Sequence, residues 1–174
     1  MTTSLSFTLI FTSLLVINLL IKFWLANRQM RHVAQHRAKV PDAFASVIDV
    51  AAHQKAADYT LAKLRLGHWD LALDALVLLG WTLLGGLSLL DGWLMTITGP
   101  GMLQQLLLVM GFMLITGALN LPVSYYQTFH LEQRFGFNNM TIGLWLSDLL
   151  KSTLVGAVLG LPLIWAVLQL MQSG

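Results

Sequence analysis

The sequence predicts an all-α membrane protein: a polytopic helical domain with about four transmembrane helices and an amphipathic helix in a cytoplasmic loop. Three observations carry this. Of 174 residues, 56% are hydrophobic and only 10% charged, whereas a soluble domain carries about 25% charged residues, so there is too little polar surface to cover a water-exposed exterior. Mean hydropathy is +0.71. Apolar runs of about 20 residues, the length that crosses the hydrocarbon core, recur along the chain, and most charges are gathered into one segment between them.

The spanning runs are expected at 5–25, 71–90, 102–125 and 142–171. The N-terminal Met1-Thr2-Thr3-Ser4 lacks the positive region of a secretory signal, so the first run is expected to be retained as a helix. Segment 28–68 reads as a polar loop, since it holds seven of the ten basic residues, from Arg28 to Arg65, against the acids Asp42, Asp49 and Asp58. Within it, Asp49 to Leu66 predicts an amphipathic helix. Asp49 caps it, Lys63 and Arg65 complement its C-terminal dipole, and Gly67 ends it in a left-handed conformation. Val50, Ala57, Leu61 and Leu64 supply its apolar side, which suits a helix lying on an anionic membrane surface or docking onto a cytoplasmic domain. Asp91-Gly92 and Thr98-Gly99-Pro100-Gly101 supply turn signals, giving a tight hairpin between the second and third spans. The last run exceeds an upright crossing and is expected to tilt, kink at Pro162 or extend past the interface.

Lysine and arginine near spanning segments are retained on the cytoplasmic side. That places loop 28–68 inside, the N-terminus and the 91–101 link outside, and the 126–141 loop with Arg134 inside. Trp24, Trp69, Trp93, Trp145 and Trp165 fall near the expected helix ends, where the indole ring favours the headgroup level. A bacterial inner membrane is the expected location, and membrane lipids are expected partners. The basic residues flank membrane-length runs rather than a folded soluble face, so nucleic acid is not an expected partner. With no cysteine, the chain has no disulfide, thiolate metal site or cysteine nucleophile.

Several constellations bear on chemistry. His32 and His36 have the i, i+4 spacing of a zincin helix, but Val33 stands where the catalytic base must follow the first histidine. No third ligand is evident, and the pair reads as surface histidines. Ionisable residues in or near the spans are Lys22, Asp74, Asp148 and Lys151. Lys22 can snorkel, while Asp70 and Asp74 suit the N-terminal turns of the second span. Asp148 and Lys151 form an i, i+3 pair able to neutralise each other in part, on the wall of a polar cavity. Gly156-x-x-x-Gly160 allows close helix approach and points to packing.

The most specific segment is His130-Leu131-Glu132-Gln133-Arg134-Phe135-Gly136-Phe137-Asn138-Asn139-Met140-Thr141. Gly136 between two aromatics permits a tight bend, Phe135 and Phe137 suit interface anchoring, Asn138 or Thr141 can cap the following helix, and Glu132 can pair with Arg134 or a basic loop residue. The segment resembles the Glu-x-x-Phe-Gly-Phe-Asn-x-x-Thr motif of the type I CAAX prenyl protease family, which are integral-membrane zinc endopeptidases. Val40-Pro41, followed by His53 to Lys63 with Tyr59 and Lys63, is similar to that family's first cytoplasmic loop. The resemblance covers essentially the whole chain and corresponds to the family's N-terminal membrane domain.

The resemblance implies a chamber enclosed by membrane helices, to which this chain contributes part of the wall. It also implies zinc held by an H-E-x-x-H helix and a downstream glutamate, C-terminal to the region represented here. No catalytic, cofactor or metal residue carries over, and zinc belongs to the full-length family rather than to this chain. The chain is expected to be inactive alone, with the C-terminal zinc peptidase domain of the same protein as its partner. A stand-alone membrane scaffold, or a small transporter motivated by Asp74, Asp148 and Lys151, are the alternatives from other classes.

Overall fold

A computed structural model of the chain describes residues 2–173. Five α-helices follow in order: α1 Thr2–His36, α2 Val50–Thr82, α3 Gly86–Thr98, α4 Met102–Tyr126 and α5 Ile142–Ser173. A short 3-10 turn, Asp42–Phe44, lies between α1 and α2, and a π-helical segment, Gln127–Glu132, continues α4. No strand occurs among the described residues. Among the described residues, three stretches are long and apolar enough to cross a membrane: Leu5–His36, Met102–Glu132 and Ile142–Met171. A fourth candidate is the pair α2 and α3, bent by 51° at their break.

Two differences from the sequence expectation matter. The polar segment is mostly helix. α1 runs on to His36 and α2 starts at Val50, leaving only residues 37–49 as a connection. Asp49 does cap α2, its carboxylate accepting the Ala51 N–H at 3.2 Å. Gly67, however, lies inside α2, with helix continuing on both sides. A glycine in helical conformation costs only about 1 kcal/mol relative to alanine, and the good helix formers Lys63 to Leu66 before it and Leu71 to Leu73 beyond it carry the helix through. The amphipathic loop helix and the start of the second span are therefore one element.

The second difference is the position of the break. The helix ends at Thr82, not near Leu90, and Asp91-Gly92 sits within α3. The Gly85-Gly86 pair sets this place. Gly85 has φ of 80°, a left-handed conformation that glycine adopts without penalty. At Gly86 an added Cβ would stand 2.7 Å from the Gly80 carbonyl oxygen, so the chain turns back closely on α2 here. The turn signal at Thr98-Gly99-Pro100-Gly101 does mark a real turn, with Gly99 at φ 68° ending α3.

The chain divides into two compact units. The first comprises Met1–Leu76 and Val123–Asn138. There α1 and the first part of α2 lie antiparallel, joined by a Phe23–His68 ring contact at 5.2 Å and by His53 Nε2–H donating to the His36 carbonyl at 3.0 Å. The second comprises Val77–Pro122 and Asn139–Gly174. There the end of α2 is tied to α4 by Trp81 Nε1–H donating to Thr116 Oγ1 at 2.9 Å and by Trp81 edge-on to Phe112, and α3 to α4 by the Gln104 side-chain amide on the Asp91 carboxylate. Pro122 and Pro162 lie inside α4 and α5 without ending either helix.

Candidate functional site

The segment 130–141 begins as the widened end of α4 and closes in a Schellman turn. Gly136 takes φ 71°, its N–H donates to the Gln133 carbonyl at 3.0 Å, and the Phe137 N–H donates to the Glu132 carbonyl at 2.9 Å. These two bonds satisfy the last orphan carbonyls of the helix, and the left-handed residue between them favours glycine. The turn sets Phe135 and Phe137 against one face of α2. Tyr59 meets both edge-on, at 5.5 Å and 4.9 Å between ring centroids. Lys55, one helical turn before Tyr59, places its ammonium 5.2 Å from the Phe137 ring centre and close to Gly136. A cation at a helix C-terminus over an aromatic face is favoured by both the dipole and the ring quadrupole.

A second clip braces the same end of α2. The Arg37 guanidinium donates to both Asp58 carboxylate oxygens, at 2.6 Å and 2.8 Å. Hydrogen bonding to Arg37 holds the Asp58 carboxyl below its ordinary range, opposed by partial burial and assisted by the opposite charge. The Arg37 pKa is raised by the same bonds and charge. Among the described residues the other ion pair is Lys39 with Asp42 at 3.0 Å, on the exposed connection.

Near this clip, a cleft of about 270 Å³ is lined by His32, Val33, His36, His53, Ala56, Ala57 and Thr60. His36 Nδ1–H donates to the His32 carbonyl at 2.8 Å, and His53 commits Nε2 to the His36 carbonyl. Among the described residues no group of three or more histidine, aspartate or glutamate side chains is disposed to hold a metal ion.

Tyr59, Phe135, Gly136 and Phe137 thus come together. Lys63 lies exposed one turn farther along α2. Glu132 accepts from the Gln127 side chain at 3.3 Å; it makes no ion pair with Arg134 or a loop cation among the described residues. Asn138 is half-buried, and Thr141 Oγ1 accepts the Leu144 N–H at 3.2 Å at the start of α5. Asp74 is exposed on α2, while Asp148 and Lys151 are exposed on α5 and do not close an ion pair with each other. Sequence reasoning missed Lys55 over Phe137, the Arg37–Asp58 fork and the Asp91–Gln104 bond. The signal for the last was present, as an acid and a pair of amides, Gln104-Gln105, set among apolar residues.

Comparison with known proteins follows the same segments. A family model described as CAAX prenyl protease N-terminal, five membrane helices, matches residues 29–174. The CAAX prenyl protease 1 homolog of Taenia solium is 40% identical over 79 residues, which is 45% of this chain and 17% of that protein. The CAAX prenyl protease 1 homolog of Homo sapiens is 26% identical over 180 residues, covering 95% of this chain and 37% of that protein. Among solved structures, the crystal structure of S. mikatae Ste24p superposes with a TM-score of 0.82 at 22% identity, over 91% of this chain and 38% of that one. That likeness shows the fold. The chain spans little more than a third of the length of the human relative. The relatives named are eukaryotic and lend nothing to the expected bacterial inner membrane.

Proposed function

The chain belongs to the CAAX prenyl protease N-terminal family, matched over residues 29–174, and from that premise we propose that it forms part of the intramembrane chamber wall of a zinc metalloendopeptidase. In this reading the metal and the hydrolytic residues belong to the C-terminal peptidase domain of the full-length protein, and this domain's task is to enclose and position. The observation that carries it is the clip of Tyr59, Phe135, Phe137 and Lys55 around the Schellman turn. It joins the two stretches by which the sequence resembles the family, so their residue types are explained by one joint between α2 and the end of α4. A rigid joint at the cytoplasmic end of two long helices is what a fixed wall requires.

The test has two arms. The 174-residue chain, purified in detergent, should hold no stoichiometric zinc and cleave no peptide; tight zinc with turnover would overturn the proposal. In a full-length protein that includes H-E-x-x-H, Tyr59→Ala with Phe137→Ala should lower peptide cleavage while zinc content stays stoichiometric. Unchanged cleavage would remove the joint from the functional argument. The proposed orientation, with residues 37–49 cytoplasmic and the N-terminus outside, rests on the charge bias of the flanking segments. Since the chain has no cysteine, Ser46→Cys gives a unique probe. It should react with an impermeant maleimide from the cytoplasmic side alone, and labelling from the other side would reverse the assignment.

A further inference from the structure

In the first unit the antiparallel register of α1 and α2 is set by the Phe23–His68 and His36–His53 contacts. On that register Lys63 stands level with the turn bearing Arg28, and Arg65 with the turn bearing Trp24. Arg28, Arg31, Lys63 and Arg65 thus occupy a slab about 9 Å deep along the helix axes, comparable with the headgroup layer on one side of a bilayer, about 5–8 Å. All four are exposed, and none is in an ion pair among the described residues. The next cations away from the apolar span are different, because Arg37 and Lys39 are each held by an aspartate and Lys55 lies over the Phe137 ring.

The same level carries the marks of a membrane interface. Trp24 and Trp69 are 55% and 76% exposed, and the Arg28 guanidinium lies 5.7 Å from the Trp24 ring centre. Just inside, Lys22 is exposed and can snorkel outward along its stem. The acids of α2, Asp70 and Asp74, lie on the apolar side of Lys63 and Arg65 and pair with none of these cations. Cations near a span but already neutralised by carboxylates would have little left to offer a lipid. These are not neutralised.

We propose that Arg28, Arg31, Lys63 and Arg65 form a binding belt for anionic phospholipid headgroups, flanked by Trp24 and Trp69. The belt needs no peptidase activity and stands independently of the chamber proposal. Native mass spectrometry of the chain from mixed micelles of phosphatidylglycerol and phosphatidylcholine tests it. Each cation near an anionic surface contributes about fivefold, so retained phosphatidylglycerol should exceed phosphatidylcholine by at least that factor. The variant Arg28→Gln/Arg31→Gln/Lys63→Gln/Arg65→Gln should bring the two to within about twofold of each other. Lys39→Gln, a paired cation outside the belt, should leave the preference intact. For a reading that needs no variant to fold, the wild-type preference should collapse at about 1 M salt, where the screening length falls to about 3 Å. Equal retention of the two lipids, or a preference that survives both the substitutions and the salt, would overturn the proposal. Displacement of the lipid by inorganic phosphate alone would also overturn it, by showing a phosphate-ion site rather than a lipid belt.

Discussion

The same substitution, glycine to alanine, should have opposite signs at two positions of this chain. Gly67 lies inside α2 with nothing within 4 Å of an added Cβ. Gly67→Ala therefore removes unfolded-state freedom at no steric cost and should stabilise by about 0.8–1 kcal/mol. Gly136 has φ 71°, and the nearest atom to its added Cβ is the flexible Lys55 Nζ at 3.7 Å, an ordinary contact. Space is thus no issue there, and Gly136→Ala should cost the left-handed penalty of about 1–2 kcal/mol. The two variants differ by about 2–3 kcal/mol, which is on the order of 30–150-fold in the folded to unfolded ratio. Reversible unfolding in SDS-containing mixed micelles, followed by far-UV circular dichroism, reads both shifts. Gly136→Asn should fall between, because asparagine tolerates the left-handed region. Lys55→Ala should not rescue Gly136→Ala, because the cost lies in the backbone. If Gly67→Ala destabilises by as much as Gly136→Ala, then Gly67 terminates a helix, and the continuous α2 is wrong.

Other consequences are as direct. The Asp58 carboxyl is held below its ordinary value of 3.8 by Arg37, so its folded pKa lies below its unfolded one. The pair's contribution is fully present above that ordinary value and lost as pH falls through the folded value; melting scans from neutral to acid pH should show an acid limb that Asp58→Asn flattens. Trp81→Phe keeps the ring packing and loses the bond to Thr116, for about 1 kcal/mol. Adding Thr116→Val should cost little more, and a double-mutant cycle with no coupling would contradict the bond. Gln104 is 5% exposed and bonds Asp91, so Gln104→Leu should cost about 1–3 kcal/mol by stranding the carboxylate. Asp91→Asn, which keeps a partner for the amide, should cost less in the same unfolding assay.

The helical class and most of its punctuation were legible because composition and glycine or proline clusters act locally. Asp49 capping α2 and Thr98-Gly99-Pro100-Gly101 ending α3 are cases in point. Gly67 and Asp91-Gly92 misled for one reason: a glycine permits a break without requiring one, and the neighbours decide. The real break at Gly85-Gly86 carried a local signal that was passed over, a glycine pair where the chain turns close to the Gly80 carbonyl. The motif 130–141 announced a bend around Gly136 from its residue types. Its meeting with Tyr59 and Lys55 joins residues far apart in sequence, a contact that neither stretch encodes by itself.

What holds such a chain together follows from how little of it is buried. Among the described residues the buried apolar side chains are Val40, Ala57, Ala75, Trp81, Leu94 and Leu131, and the most apolar windows of α1, α4 and α5 bury nothing inside the chain. In lipid, apolar contact between helices gains little over contact with acyl chains, so exposed leucines along α5 are no defect and also no source of cohesion. Specificity must then come from sites where a polar or aromatic group would otherwise lose a partner. The chain supplies these in compact form: the Arg37–Asp58 fork and the Tyr59 clip in the first unit, and Trp81–Thr116 and Asp91–Gln104 in the second. Two of them lie in the polar segment and two within apolar helices, where water offers no alternative partner and a lost bond is least easily replaced. Substitutions that exchange one exposed leucine of α5 for another apolar residue should therefore be nearly silent, while single-atom changes at these four clips should not.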